Sequence, residues 1–154
     1  ELVYAGSKKL TDIDEETGMT YGKLMLSPTR TFMPVLNRII GSLKSEIHGL
    51  IHTTGGAQTK VMNFVHGMHI IKDDMFDVPP LFRIIQAESG TDWREMYQVF
   101  NMGHRLEVYL KPEFAQAVTD ISGEFGIEAR IIGRCESAEE NKLTISTDTG
   151  TYTY

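Results

Sequence analysis

The stretch Gly49-Leu-Ile-His-Thr-Thr-Gly-Gly-Ala-Gln-Thr-Lys60 passes from apolar residues through two adjacent glycines into residues that favour a helix. An apolar run that ends at glycine predicts a buried strand followed by a turn. Glycines before a helix also suit a phosphate, because they leave room for it beside the unpaired N–H groups of the first helical turn. The stretch therefore predicts a strand, a turn and a helix at roughly 57–66, and both roles of the glycines stay open at this point.

The composition is that of one globular domain. The chain has 154 residues, of which 41% are hydrophobic, and its net charge is −6. An acidic chain without a block of Lys and Arg is not expected to bind nucleic acid or an anionic membrane surface, and no apolar run approaches the roughly 20 residues of a membrane-spanning helix. Because the single cysteine, Cys135, cannot form an internal disulfide, we expect a cytoplasmic protein.

Helical and strand patterns alternate along the chain, which predicts an α/β (α+β) fold with a mixed β-sheet and helices packed against it. Helices are predicted at 19–26, 34–43, 79–89, 92–100 (capped by Thr91) and 112–125, and strands at 47–53, 68–74, 105–110, 127–135, 142–146 and 151–154. The last two strands flank a hairpin turn at 148–150. Residues 1–18 are polar and predict an arm that leads from a preceding N-terminal domain, and 19–154 are predicted to form a single C-terminal substrate-binding domain.

Two elements carry a distinct apolar face. Alternation over 105–110 predicts one apolar strand face, made of Leu106, Val108 and Leu110. The helix that begins at Pro112 carries a stripe that we expect to be buried, made of Phe114, Val118, Ile121 and Phe125. Burial of this stripe would make the helix part of the core.

A second loop with possible function is Phe100-Asn-Met-Gly-His-Arg105, between a predicted helix and a predicted strand. Asn101 and Gly103 suit a turn whose amides and side chain face a ligand, and His104 and Arg105 are placed to meet an anion. The alternative is a helix C-cap with Gly103 in the left-handed conformation. The sequence alone leaves both interpretations open.

A third candidate is Arg30, in the stretch Ser27-Pro-Thr-Arg30. A guanidinium that follows a turn can clamp a phosphate or a carboxylate through its fork of donors. The alternative is an ordinary solvated surface charge.

Metal binding and nucleophilic catalysis find little support in the sequence. His48 and His52 are four residues apart in a predicted strand, which separates them by about 13 Å, too far for one metal ion. No cluster of His, Cys, Asp and Glu has the spacing of a metal site, and Cys135 lies in an apolar strand where its thiol is unreactive. We therefore predict no metal site and assign no catalytic residue.

Three motifs occur in order: Ser27-Pro-Thr-Arg-Thr-Phe32, His52-Thr-Thr-Gly-Gly-Ala57 and Met96-Tyr-Gln-Val-Phe-Asn-Met-Gly-His-Arg-Leu106. They resemble the hallmarks EPTR-x-Y, HITGGG and MYxxFNMGxGM of the C-terminal domain of aminoimidazole ribonucleotide synthetase, also called phosphoribosylformylglycinamidine cyclo-ligase. The similarity runs from about Leu10 to the last strand. The sequence departs from the family pattern at Ala57 and Arg105, where the family has glycine. It also departs at 60–64, where the motif ENxxR of the family is replaced by Lys60-Val-Met-Asn-Phe64.

The resemblance implies an ATP-dependent ring closure of formylglycinamidine ribonucleotide to aminoimidazole ribonucleotide in purine synthesis. ATP would phosphorylate the amide oxygen, the amidine nitrogen of the substrate would attack that carbon, and phosphate would leave. The resemblance also implies that ATP and Mg²⁺ are bound mainly by an N-terminal domain and that the full-length enzyme is a homodimer. The start at Glu1 suits a fragment whose partners are its own N-terminal domain and the phosphorylated ribonucleotide substrate.

Carried onto this sequence, the resemblance implies a substrate and phosphate site made of Arg30, Thr54, Gly55, Gly56, Ala57, Asn101, Gly103 and His104. Alternation in the strand places His52 and Thr54 on one face and Thr53 on the other, and we expect Thr54 on the ligand side. Two other functions stay open. One is a non-catalytic or regulatory domain of the same fold. The other is a sister ATP-dependent enzyme such as selenophosphate synthetase, thiamine-phosphate kinase or a hydrogenase maturation protein.

Overall fold

The computed structural model describes residues 6–27 and 30–154. In chain order the elements are α1 (Tyr21–Met25), α2 (Met33–Leu43), β1 (Ile47–His52), a 3-10 helix (Ala57–Asn63), β2 (Met68–Lys72), α3 (Pro80–Ser89), α4 (Trp93–Val99), β3 (Leu106–Leu110), a 3-10 turn (Pro112–Phe114), α5 (Ala115–Glu124), β4 (Gly133–Ser137), β5 (Lys142–Thr147) and β6 (Gly150–Thr153). The predicted α+β class is confirmed. Within the described ranges, no helix is both long and apolar enough to cross a bilayer.

The strands form two sheets. β1 pairs with β3 in an antiparallel pair, and the other four strands lie in the order β4-β2-β5-β6. β2 and β5 run parallel, whereas β4 and β6 are antiparallel to their neighbours. The larger sheet is therefore mixed, as predicted, and its β5–β6 hairpin turns where the sequence indicated.

Two apolar clusters hold these elements together. The larger one joins β1, the four-stranded sheet, α4 and the 3-10 helix through buried side chains of Ile51, Val61, Ile70, Met75, Val78, Met96, Tyr97, Met102, Leu143 and Ile145. The smaller one joins α2 to α5 through Val35, Ile39 and Ile121. Removing apolar surface from water stabilises such clusters by about 25 cal/mol per Å².

The apolar stripe predicted on the helix after Pro112 is only partly buried. Ile121 is buried and Val118 is half-buried, but Phe125 is 43% exposed. α5 ends at Glu124, and Phe125 is already its C-cap residue. The expectation that Phe125 is buried is wrong, because the chain leaves the helix before the ring reaches the core.

Other differences from prediction lie at element boundaries. Asp92, not Thr91, caps α4, and its carboxylate accepts a hydrogen bond from the Arg94 amide at 2.8 Å. The segment after the glycines is a 3-10 helix of seven residues. β4 begins at Gly133 rather than at 127, because its ladder with β2 begins only there.

The N-terminal segment is tied to the rest of the chain. The Ser7 amide donates to a carboxylate oxygen of Glu88 at 2.7 Å, and Ile13 forms an isolated bridge with Thr20. Residues 1–5 of the predicted arm lie outside the described residues. The division of the chain at residue 18 stays a prediction.

Candidate phosphate-binding site

Two loops meet at one edge of the two-stranded sheet: the glycine loop (residues 54–57), which follows β1, and the asparagine loop (residues 101–105), which precedes β3. Antiparallel pairing brings the end of β1 beside the start of β3. The contact continues beyond the strands, because the Thr53 amide donates to the Arg105 carbonyl at 3.1 Å and the Thr53 hydroxyl donates to the His104 carbonyl. Residues distant in sequence are thereby joined at one place.

The glycine loop is a tight turn with one open side. Gly56 has a φ of +82° and Ala57 a φ of +42°. The Ala57 amide donates to the Thr54 carbonyl at 2.8 Å, so the turn itself uses this N–H. A ligand contact at Ala57 stays a prediction. The amides of Gly55 and Gly56 donate to no described residue, and a Cβ at Gly55 would meet nothing within 4 Å. The open side of the loop is therefore formed by Gly55 and Gly56.

A lysine ammonium group lies next to this loop. Lys60 Nζ donates to Thr54 Oγ1 at 2.7 Å and to the His52 carbonyl at 2.9 Å. The predicted alternation is confirmed, because His52 and Thr54 are exposed whereas Thr53 is buried. A positive charge thus lies on the same face as the exposed threonine.

The asparagine loop has a backbone that requires glycine. Asn101 Oδ1 accepts a hydrogen bond from the Gly103 amide at 2.9 Å, and Met102 and Gly103 have φ values of +51° and +93°. A Cβ at Gly103 would lie 2.9 Å from Cγ of Pro79. The alternative that Gly103 caps a helix is wrong, because α4 has already ended at an extended C-cap residue, Phe100.

A cleft of about 1480 Å³ is lined by residues of both sheets, α2, α5 and the segment 126–132. Among the described residues, the cleft is lined by seven basic and three acidic side chains. This local excess of basic groups contrasts with the net charge of −6 of the whole chain. Four of the basic side chains have no ion-pair partner in the part of the chain that the structure describes: Arg30, Lys60, Arg105 and Lys111. Such a lining attracts an anion.

The structure brings the predicted site residues to two adjoining places, the shared sheet edge and the cleft. The predicted residues of the glycine and asparagine loops lie at the shared sheet edge, and Gly103 and His104 also line the cleft. Arg30 lines the same cleft from the segment before α2, where its guanidinium donates to the Gly126 carbonyl at 3.5 Å. Of the motif around Arg30, Pro28 and Thr29 lie outside the described residues.

His104 is buried next to the cleft and is neutral near pH 7. Its Nε2 accepts a hydrogen bond from the Phe76 amide at 3.0 Å. Burial, together with the nearby charge of Lys72, lowers the pKa of His104 to about 4. Because Nε2 accepts, the ring proton lies on Nδ1. The imidazole is therefore not a cation for a ligand, and Arg105 is the charged side chain of this loop.

Sequence reasoning missed a buried polar network, the Lys72 cluster, made of Gln58, Lys72, Asn101, Glu107 and Tyr109. Lys72 Nζ donates to Glu107 Oε1 at 2.5 Å and to Gln58 Oε1 at 2.8 Å. Gln58 Nε2 donates to the Asn101 carbonyl at 2.7 Å, and the Tyr109 hydroxyl donates to Glu107 Oε2 at 2.5 Å. Desolvation lowers the pKa of Lys72, although Glu107 acts in the opposite direction. The only sequence signal was one charge inside each of two apolar strands.

The groups at this site are suited to binding rather than to covalent chemistry. The Cys135 side chain is exposed, and partial desolvation of its thiol together with the charge of Glu107 raises the pKa of Cys135. A protonated thiol is a poor nucleophile. In the described ranges 6–27 and 30–154, no group of three or more His, Cys, Asp and Glu side chains could hold a metal ion.

Sequence comparison identifies similar proteins over most of the chain. A family model described as "AIR synthase related protein, C-terminal domain" matches residues 23–146. Two similar proteins are the phosphoribosylformylglycinamidine cyclo-ligases of Caldicellulosiruptor saccharolyticus and Methanococcus vannielii. They are 30% and 31% identical to this chain, over 86% and 83% of its length. The chain spans only 39% and 37% of the length of these two relatives.

Structural comparison supports the fold. The crystal structure of E. coli HypE, a hydrogenase maturation protein, matches with a TM-score of 0.58 over 88% of this chain and 44% of that protein. The sequence identity is 18%. At this identity the likeness establishes a shared fold and nothing about the ligand.

Proposed function

We propose that this chain, which belongs to the AIR synthase related protein family and matches its C-terminal domain, is the substrate-binding half of an ATP-dependent cyclo-ligase. The family match over residues 23–146 carries the proposal, and it confirms the resemblance found in the sequence. The proposed reaction closes the imidazole ring of aminoimidazole ribonucleotide from formylglycinamidine ribonucleotide. The names of the relatives, phosphoribosylformylglycinamidine cyclo-ligase, support this substrate.

The ribose phosphate is proposed to bind where the glycine and asparagine loops meet. The amides of Gly55 and Gly56 are unpaired among the described residues and have open space in front of them. Lys60 and Arg105 add positive charge on either side of this edge, and neither has an ion-pair partner in the described chain. Hydrogen bonds between such donors and a phosphate are charge-assisted and therefore strong.

The contribution of this chain to ring closure is proposed to be orientation. Fixing the phosphate end of the substrate in the cleft restricts the conformations of the attached formylglycinamidine group. Holding a nucleophile and its target at close distance makes the attack effectively intramolecular, which contributes a large share of the rate in such reactions. His104 does not serve as the acid at neutral pH, because burial lowers its pKa to about 4.

ATP and Mg²⁺ are proposed to bind mainly to an N-terminal domain, as the family resemblance implies. The described residues of this chain offer no group of three or more His, Cys, Asp and Glu side chains for a metal ion. We also propose that the N-terminal domain is the partner of this chain, that the full-length enzyme is a homodimer, and that it works in the cytoplasm. The first of these proposals agrees with the fraction of the relatives' length that this chain spans.

A non-catalytic or regulatory domain of the same fold is the second candidate. The observation that favours it is that two polar groups of the glycine loop are already paired within the chain: the Ala57 amide donates to the Thr54 carbonyl, and the Thr54 hydroxyl accepts from the Lys60 ammonium group. A maturation protein of the HypE type also shares the fold. The cyclo-ligase is preferred because the sequence relatives at 30% and 31% identity carry that name.

The test is formation of aminoimidazole ribonucleotide by the complete protein that carries this chain, supplied with formylglycinamidine ribonucleotide, ATP and Mg²⁺. We expect ATP-dependent product from the complete protein and none from this chain alone. A Lys60→Met variant should raise KM, whereas Arg38→Met, a change at a side chain 59% exposed, should leave KM unchanged. A folded complete protein that forms no product would refute the proposal, and ring closure by this chain alone would refute the division between domains.

A further inference from the structure

We infer that the buried Lys72–Glu107 pair, acting through Gln58, sets the position of the glycine loop relative to the asparagine loop, so that Lys72 is a positioning residue for the phosphate site. The inference rests on the proposed function, because that function gives the two loops a common ligand. Lys72 is 1% exposed and is not proposed to contact the ligand. Its action runs through hydrogen bonds to residues that belong to the loops or adjoin them.

Gln58 is the link between the two loops. It directly follows Ala57, the last residue of the glycine loop, and is fully buried. Its backbone and side-chain carbonyls both accept hydrogen bonds from Lys72 Nζ, at 3.2 and 2.8 Å. Its side-chain NH₂ group donates to the carbonyl of Asn101 at 2.7 Å, and the side chain of that same asparagine forms the turn of the other loop.

The charge of Lys72 fixes the direction of this link. An ammonium group has three donors and no acceptor, and Lys72 uses its donors on two Gln58 oxygens and one Glu107 oxygen. The Gln58 carbonyl must therefore face Lys72, which leaves its NH₂ group facing Asn101. A reversed amide would place two N–H groups against the ammonium and two carbonyl oxygens against each other.

The pair also connects the two sheets that line the cleft. Lys72 is the last residue of β2, in the four-stranded sheet, and Glu107 lies in β3, in the two-stranded sheet. Tyr109 fixes the other oxygen of Glu107 at 2.5 Å. A buried ion pair contributes little stability over an apolar pair of the same volume. Its hydrogen bonds to Gln58, which adjoins the glycine loop and bonds to Asn101 of the other loop, indicate that its role is one of position.

The experiment breaks the link in two ways in the complete protein. Lys72→Met with Glu107→Leu replaces the ion pair by apolar side chains of similar volume, which folded proteins commonly tolerate. Gln58→Met keeps the ion pair and removes both side-chain hydrogen bonds of Gln58, one from Lys72 and one to Asn101. Arg38→Met with Glu124→Leu is the matched control, because it makes the same replacements in an exposed pair.

Two readouts separate a positioning role from a structural one. The first is amide hydrogen exchange at Ala57, Gly103 and His104, whose amides are hydrogen-bonded within the two loops, with the β5–β6 hairpin as internal reference for global stability. The second is the dissociation constant of formylglycinamidine ribonucleotide. We expect faster exchange in the two loops alone and binding weakened by about 10- to 100-fold in both linkage variants, the size of effect seen when a supporting residue of a site is lost.

Wild-type loop exchange and wild-type affinity in folded linkage variants would overturn the inference. Faster exchange throughout the chain, hairpin included, would also overturn it, because that result describes loss of stability. If the wild-type protein itself fails to bind the nucleotide, the proposed function is refuted, and the exchange measurement alone then decides whether Lys72 positions the loops.

Discussion

Gly55 and Gly56 are adjacent, but a side chain would meet different conditions at each. Gly56 has a φ of +82°, a conformation that side chains with a β-carbon rarely adopt, and a Cβ there would lie 3.6 Å from Lys60. Gly55 has no such φ, and a Cβ there would meet nothing within 4 Å. Valine at Gly56 therefore disturbs the turn itself, whereas valine at Gly55 fills only the open space in which the phosphate is proposed to bind.

We predict that Gly55→Val in the complete protein weakens binding of formylglycinamidine ribonucleotide by at least about tenfold, or about 1.4 kcal/mol. The free energy of unfolding should change by less than about 0.5 kcal/mol, as for an exposed position. Gly56→Val should instead destabilise the fold by about 1–3 kcal/mol, because of its backbone conformation. Calorimetric titration and denaturant unfolding measure the two effects, and unchanged affinity in folded Gly55→Val would exclude phosphate contact at this residue.

His104 gives a prediction about pH. Its pKa is lowered from 6.5 to about 4 in the folded chain, so the unfolded chain takes up the proton first as pH falls. The contribution to stability is complete above pH 6.5 and is lost as pH falls through 4, by about 2–3 kcal/mol. In His104→Gln, which keeps an acceptor for the Phe76 amide, the decrease between pH 7 and pH 4 should be smaller by that amount. Parallel decreases in both proteins would contradict a buried neutral histidine.

At the scale of elements, α5 is held mainly by Ile121, with half-buried Val118 beside it, rather than by the whole predicted stripe. Ile121 is 8% exposed and packs on Val35 and Ile39, whereas Phe125 is 43% exposed. We predict that Ile121→Ala lowers the free energy of unfolding by about 2–5 kcal/mol and that Phe125→Ala lowers it by less than about 1 kcal/mol. Denaturant unfolding of the two variants measures this, and a larger effect at Phe125 would contradict the described end of the helix.

The sequence was sufficient to predict the elements but not all of their ends. Periodicity located every strand and helix near its place, because amphipathic spacing is a local property. The ends depend on contacts with distant residues. Phe125 continues the helical stripe by spacing and yet lies beyond the last helical residue, and the strand around 127–135 begins only where β2 becomes available at Gly133.

The candidate site was predictable in part for the same reason. The glycine and asparagine loops stand out by composition, but only the pairing of β1 with β3 shows that they meet. Lys72 and Glu107 were not predicted, because a charge inside an apolar strand has the same pattern whether it faces solvent or a buried partner. The hydrogen bond from the Ala57 amide to the Thr54 carbonyl was not predicted, because it depends on the positive φ values of Gly56 and Ala57, which the sequence does not reveal.

At the scale of the whole molecule, the distribution of charge matters more than its total. A net charge of −6 argued against polyanionic partners, while the cleft is lined by more basic than acidic side chains. Salt screens the attraction between a bound anion and cations that are partly exposed to solvent. We predict that raising the ionic strength from 0.05 to about 0.5 M weakens nucleotide binding several-fold. An affinity that does not change with salt would indicate that the cations of the cleft do not contact the ligand.

The central claim is that this chain holds the phosphate of a ribonucleotide at the edge shared by the glycine and asparagine loops. The most direct test is calorimetric titration of the complete protein with formylglycinamidine ribonucleotide and, in parallel, with the corresponding nucleoside that lacks the phosphate. Because two charge-assisted hydrogen bonds contribute about 3 kcal/mol or more, we predict that the nucleotide binds at least about 100-fold more tightly. Equal affinities for the two compounds would contradict the account.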